Sequence, residues 1–448
     1  MENTRKTPAF FDALNIAIPF FFMVAGGILF FVLPKKQISE IEKRKLASVP
    51  EYSTQALLEG SYTRELEAYV ADNFPYRDQW IEFGGNMREW RGFRPEENIK
   101  LVATKQPQFL GQNPEDSAIM NSENEFVDGD SNGKSSHSLF IYNKRAYQIF
   151  GGGKRTAGIY ASKLNYFYNL LKDSVKFYNL VAPSPTDFDL PEKFRKMGNS
   201  EKANIDAIYT ALEPGICHAD AYTTMMAHKD EYMYFATDHH WTALGAYYAY
   251  TAFADCAGFQ PVALESMTKK SKPGFLGSLY GLSRDEDLKS NPDHVDYYLV
   301  PGGYKVQVNQ TSAIDKWTGG SLFAEGASGG NSYSVFLGGD FPVLRIKSNA
   351  NNGRRILVLK ESYGNAFSPF LSPHFEYVYV ADIRYFKFSL LQFIRKYQIN
   401  EVLVINGIFM ANNPYFPNKI KSMIHTPQAA HSAKKKSTSD STAKIKTP

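Results

Sequence analysis

Two short runs of the sequence hold the residue types that acyl-transfer chemistry needs. One is Asp238-His239-His240-Trp241; the other is Glu361-Ser362-Tyr363-Gly364-Asn365. A serine hydroxyl is a weak nucleophile until a base takes its proton, and an imidazole held by a carboxylate is such a base. Asp238 and His240 stand two apart, so on extended chain they project to one side and His239 to the other. Asp238 then fixes the tautomer of His240 and stabilises its cation. Ser362 follows RILVLK and precedes YGNAFSPFL. This pattern predicts a strand-to-helix turn, where free backbone N–H groups can meet a developing oxyanion. A plainer role for Ser362 is to cap that helix. A plainer role for the DHHW run is a polar strand end with one satisfied histidine.

Other residues belong to the same expected crevice. The N–H of Ser362 or Tyr363, the side chain of Asn365 one turn on, and Asn406 at the end of another strand are candidate oxyanion donors. Tyr385 in DIRYF and Trp241 are grouped with Asn365 and Asn406 as substrate contacts. Asn406-Gly407 is also a common turn pair, and Tyr385 can simply pack. A metal reading competes with the serine reading, because Asp-His-His resembles a manganese phosphoesterase signature. That chemistry needs further ligands. His294, Asp187 and Asp189 can be recruited, but no accompanying motif stands out, so no metal or cofactor is expected.

The elements that must position these residues are legible in part. Apolar β-branched runs alternate with helices towards the end of the chain: Arg355–Leu359, Tyr363–Leu371, Tyr377–Val380, Ser389–Tyr397 and Val402–Ile405. Such alternation predicts a parallel sheet covered on both faces, with ligands beyond the carboxyl ends of its strands. Upstream, Ala161–Leu171 reads as a helix, Val175–Ala182 as a strand, Tyr232–Ala236 as a strand running into DHHW, and Thr242–Phe253 as a helix. Residues 270–350 read as an irregular β-rich insertion. Residues 38–105 form a helical lead-in, with Leu66, Tyr69, Val70 and Phe74 on one stripe and Pro75 ending it. Residues 106–137 read as a disordered insertion and 425–448 as a disordered basic tail. The α/β catalytic domain is assigned to 138–424.

Composition excludes little. Of 448 residues, 50 are basic and 46 acidic, a net charge of +4 that does not argue for nucleic acid. Aromatics reach 15%, as in proteins that stack sugars, although an aromatic core gives the same figure. Cys217 and Cys256 can pair in an exported domain or stay as buried thiols. Leu14 to Leu33 carries no charge over 20 residues, enough to span a hydrocarbon core of about 30 Å. No A-x-A cleavage site follows, so residues 1–37 read as a tail and uncleaved anchor. Lys35, Lys36, Lys43, Arg44 and Lys45 lie beyond the span, which by the positive-inside rule would keep the domain inside.

ATDHHWTALGAYYAY, KESYGNAFSPFLSPHFEYVYVADIRYF and the N-terminal SEIEKRKLASVPEYS with DNFPYRDQW resemble the DHHW protein family of bacteria. The resemblance spans roughly residues 38–412. That family looks related to the SGNH-hydrolase-like proteins that O-acetylate alginate, in which a D-x-H-W motif supplies acid and base and a later Ser is the nucleophile. Asp238, His240, Trp241 and Ser362 match these positions; Glu361 stands where Asp is usual. The resemblance implies an SGNH-like doubly wound parallel sheet and an exported domain on the membrane, since long domains translocate largely regardless of flanking charge. It also implies serine O-acyl transfer to a cell-envelope or extracellular polysaccharide, with a separate multi-spanning membrane acyltransferase as acyl donor. The same three residues would serve a carbohydrate esterase, and a degenerate site would leave a polysaccharide-binding or assembly protein.

Overall fold

Strand runs such as RILVLK and EVLVING hold four consecutive apolar side chains, so they are stable only when both faces are covered. The computed structural model describes residues 9–39, 44–90, 99–103 and 138–424. The expected disordered insertion at 106–137 and tail at 425–448 lie outside the described residues. The first helices are α1 (Ala9–Val32), α2 (Ser61–Asp72) and α3 (Arg77–Trp90). The main body holds α4 (Lys154–Asn169), β1 (Lys176–Ala182), α5 (Glu201–Ala211), β2 (Ile216–His218) and α6 (Ala243–Ala257). It continues with β3 (Tyr304–Asn309), β4 (Thr318–Gly319), β5 (Val343–Ser348), β6 (Arg355–Lys360) and α7 (Tyr363–Phe367). It closes with β7 (Tyr377–Asp382), α8 (Leu390–Tyr397), β8 (Glu401–Gly407) and α9 (Tyr415–Met423).

Eight strands form one mixed sheet in the order β4-β3-β5-β7-β6-β8-β1-β2. The run from β7 to β2 is parallel, and β4, β3 and β5 pair antiparallel beyond it. Alternate residues of the central strands enter two different cores. Ile356, Val358, Leu403 and Ile405 pack with α6, whereas Leu357, Leu359, Val402 and Val404 pack with α4, α8 and α9. Helix α6 starts at Thr242, whose hydroxyl accepts from the Gly245 N–H at 3.3 Å, and ends at Gly258 with φ 71°. Cys217 of β2 is bridged to Cys256 of α6, with Cα atoms 6.0 Å apart.

Two segments take a different form from the sequence reading. Within 270–350, β3 and β5 extend the central sheet, while Thr268–Phe275 pairs with Asp293–Leu299 as a separate antiparallel ribbon. Tyr232–Ala236 is not a sheet strand; Tyr234 makes only an isolated antiparallel bridge to Trp241. The reason is local. The DHHW run doubles the chain back on itself, and the carboxylate of Asp293, not a neighbouring strand, takes the N–H groups of Ala236 and Thr237 at 2.8 and 2.7 Å. Helix α1 contains one segment, Ala13–Val32, long and apolar enough to cross a membrane, and a signal sequence passes the same test.

Candidate active site

Asp238, His240 and Ser362 meet. His240 Nε2 lies 2.7 Å from Ser362 Oγ, and His240 Nδ1 lies 2.5 Å from Asp238 Oδ1. All three are buried, at 6%, 6% and 1% exposure for Ser362, His240 and Asp238. Asp238 is held from two sides: its Oδ1 accepts the His240 N–H at 3.0 Å and its Oδ2 accepts the Ser278 N–H at 2.7 Å. Gly277 permits this approach, because a Cβ there would fall 2.2 Å from Asp238 Cβ. Ser362 occupies the N-cap position of α7, two residues beyond β6, yet its side chain makes no capping bond. Gly364 completes the turn; a Cβ there would lie 2.5 Å from Lys360 Cβ.

Ser362 Oγ has a second neighbour, Glu361 Oε2 at 3.1 Å. A hydroxyl has one proton to donate, and the 2.7 Å contact to the imidazole is the shorter. Glu361 is otherwise engaged: Oε2 accepts the Tyr363 N–H at 3.1 Å and Oε1 the Gly407 N–H at 2.8 Å. Its carboxylate therefore ties the turn after β6 to the end of β8 and occupies the Tyr363 N–H. Among the described residues the Ser362 N–H has no backbone or side-chain acceptor.

The remaining sequence candidates separate. Asn365 gives an Nδ2 proton to Asp340 Oδ1 at 2.8 Å, which leaves one amide proton uncommitted, while its Oδ1 is buried without a partner. Asn406 is fully buried at the end of β8, accepting from the Tyr160 hydroxyl at 2.6 Å and donating to Gly407 O at 3.0 Å. Trp241 is at 0% exposure and donates Nε1–H to Tyr363 O at 3.0 Å, so it braces the Ser362 turn from within the core in place of a substrate contact. Tyr385 is half-buried with the Arg384 guanidinium 5.4 Å from its ring. His239 contacts Ser278 Oγ at 2.7 Å and, with Gln148, Glu361, Gly407, Phe409 and Met410, borders a small crevice.

Several contributors carry no sequence signal. Tyr333 stacks on His240 with centroids 4.2 Å apart and donates its hydroxyl to Ser362 O at 3.1 Å. The Tyr363 hydroxyl donates to His239 O at 2.5 Å, a second stitch between the two turns. Asp340 accepts from Lys360 Nζ and Arg384 Nη2, each at 2.9 Å. Burial would raise its carboxyl, but these two cations hold it well below the usual carboxylate range. No spacing rule joins Asp293, Tyr333 or Asp340 to the two motifs; only the fold does.

The metal reading finds no support in the placement of its extra ligands. Asp238, His239 and His240 have ligand atoms within 4.8 Å of one another, but both His240 nitrogens already face Asp238 and Ser362. His294 sits 3.5 Å from Asp296, Asp189 pairs with Arg145 at 2.8 Å, and Asp187 accepts from Tyr222 at 3.1 Å.

Fold and site together define a mixed α/β protein with a serine, histidine and aspartate in hydrogen-bond sequence. The chain belongs to the DHHW protein family, whose model matches residues 106–381. A DHHW family protein from Eubacterium siraeum DSM 15702 is 31% identical, with 67% of this chain and 99% of that one covered and a TM-score of 0.59. Bacillus cereus PatB1, solved with a sulfonyl adduct, is 22% identical, with 61% of this chain and 95% of that one covered and a TM-score of 0.52. The O-acetyltransferase domain of Pseudomonas putida AlgJ is more distant, at 12% identity and a TM-score of 0.33 over 60% of this chain and 89% of that one. No curated protein matches the chain.

Proposed function

We propose that the protein is a membrane-anchored, extracytoplasmic serine O-acyltransferase that acetylates a cell-envelope or extracellular polysaccharide. Ser362 Oγ attacks the carbonyl of the acyl donor as His240 Nε2 takes its proton, and Asp238 stabilises the imidazolium. The tetrahedral oxyanion is met by the Ser362 N–H and the uncommitted Asn365 Nδ2 proton. His240 returns the proton to the leaving group, and the acyl group remains on Ser362. A sugar hydroxyl, deprotonated by His240, then attacks the acyl-serine; the acyl group passes to the sugar oxygen and Ser362 regains its proton. A multi-spanning membrane acyltransferase would supply the acyl group.

The observation that carries this reading is the hydrogen-bond sequence Ser362–His240–Asp238 at 2.7 and 2.5 Å. We read the sheet, with a core on each face and the site beyond the carboxyl ends of its parallel strands, as SGNH-hydrolase-like and doubly wound. The export reading draws on the apolar segment Ala13–Val32 and on the Cys217–Cys256 bridge, since disulfides persist in oxidising compartments.

The test is incubation of the purified protein with an activated acetyl ester and oligosaccharide acceptors, read by mass spectrometry. Acetylated oligosaccharide, lost in Ser362→Ala, is the expected product. Release of acetate with no sugar ester would make the protein an esterase, and no turnover of either kind would leave a binding protein. A sulfonyl fluoride should add one label, on the peptide carrying Ser362.

A further inference from the structure

Outside the site, an exposed apolar face lies beside the end of the apolar segment Ala13–Val32. Leu66, Val70 and Phe74 recur on one side of α2 and its exit, and Trp80, Phe83 and Met87 on one side of α3; all six are between 37% and 56% exposed. The first four line one open groove. The spacings i, i+4, i+8 and i, i+3, i+7 are those of single helical faces. Six large apolar side chains together on the surface mark a contact with something apolar.

Where the face lies indicates what covers it. Phe30 of α1 meets Tyr69 of α2 edge-on at 5.9 Å, a Cβ at Gly26 would be 3.8 Å from Phe74, and Lys35 Nζ donates to Asn73 O at 3.4 Å. The end of α2 thus runs beside the last turns of α1 and the residues just after it, from Gly26 to Lys35. From Gly26 to the end of α1 is about 10 Å at 1.5 Å per residue, comparable with the ~5–10 Å depth to which interfacial helices bury their apolar faces. Tyr76 and Trp80 are 57% and 54% exposed, aromatic types that favour the headgroup level. The exposed Lys35 and Lys36 follow the span, where anionic headgroups would meet them.

We infer that α2 and α3 form an interfacial collar, lying on the lipid surface beside the anchor with Leu66, Val70, Phe74, Trp80, Phe83 and Met87 in the headgroup and acyl boundary. The inference rests on the reading of α1 as a membrane anchor. It adds that the domain is held at a fixed height and tilt over the bilayer and does not swing on a tether.

Spin labels on the full-length protein in phosphatidylcholine–phosphatidylglycerol vesicles test it. Single substitutions Leu66→Cys, Phe83→Cys, Arg64→Cys on the opposite face of α2, and Phe22→Cys within α1 are labelled, the native cysteines being bridged. Collision rates with oxygen and with a water-soluble nickel chelate are then compared. Labels at 66 and 83 should show a severalfold higher oxygen-to-nickel ratio than the label at 64. Labels at 66 and 83 that favour nickel while the label at 22 favours oxygen would overturn the collar and leave the anchor standing. Labels at 66 and 83 shielded from both reagents would also overturn it, by revealing a protein occupant. A label at 22 that favours nickel would remove the anchor and the collar with it.

Discussion

Two serines stand two residues beyond the ends of parallel strands, and each meets a buried glutamate. After β1, Ser184 gives its hydroxyl to Glu201 Oε1 at 2.5 Å and its N–H to Oε2 at 2.8 Å. After β6, Ser362 lies 3.1 Å from Glu361 and 2.7 Å from His240. Among the described residues Ser184 bonds only to Glu201 and the Thr186 N–H, and to no histidine. Burial pushes the Glu201 carboxyl up to about 8, with Asp187 adding to the rise and the Ser184 bonds opposing it. That pair is a structural clasp between a raised carboxyl and a hydroxyl. At Ser362 the DHHW turn delivers a histidine already fixed by Asp238. A serine at a strand's carboxyl end is thus positioned by its own strand but activated only by another segment of chain.

Breaking the activated pair should have the largest effect. Ser362→Ala and Asp238→Asn should each lower turnover by about 10⁴-fold, measured with an activated ester, while Ser184→Ala leaves turnover unchanged. Equal losses at Ser184 and Ser362 would show that the histidine is not what distinguishes them.

The oxyanion donors sharpen the contrast within the Ser362 side. Asn365→Ala should cost about 10²–10³ in turnover, the scale of a lost oxyanion donor. Asn406→Ala should instead cost roughly 1–3 kcal/mol of stability, because it strips the acceptor from the buried Tyr160 hydroxyl. Denaturant unfolding and kinetics on the same two variants separate these outcomes, and a large turnover loss in a stable Asn406→Ala would reassign the donor.

Trp241→Phe keeps an aromatic ring and removes the proton given to Tyr363 O. It should destabilise by about 1–3 kcal/mol with KM for the acceptor unchanged. A raised KM alone would return Trp241 to the substrate.

The smallest effect concerns the clasp. Because the Glu201 carboxyl is raised when folded, the native chain keeps a proton that the unfolded chain releases. Its contribution to stability is full below the ordinary carboxylate range and is lost as pH rises through about 8. Glu201→Gln should flatten that decline in thermal midpoint between pH 5 and 8 while leaving turnover unaffected.

The residue types at 238, 240 and 362 were legible because their chemistry is local. The strand runs of β6, β7 and β8 were legible because double-faced burial demands continuous apolar chain. Tertiary structure decided the rest. It brought His240 to Ser362 across 122 positions through a doubled-back turn held by Asp293, which no alternation pattern describes. It turned Asn406 and Trp241 inward, since which side of an element is buried depends on what packs against it. It also recruited Tyr333 and Asp340 from irregular segments with no period to read. Sequence determines what a side chain can do and how its neighbours along the chain run; which turns face each other depends on the packing of whole elements, and that is settled only when the sheet and its helices close around the site.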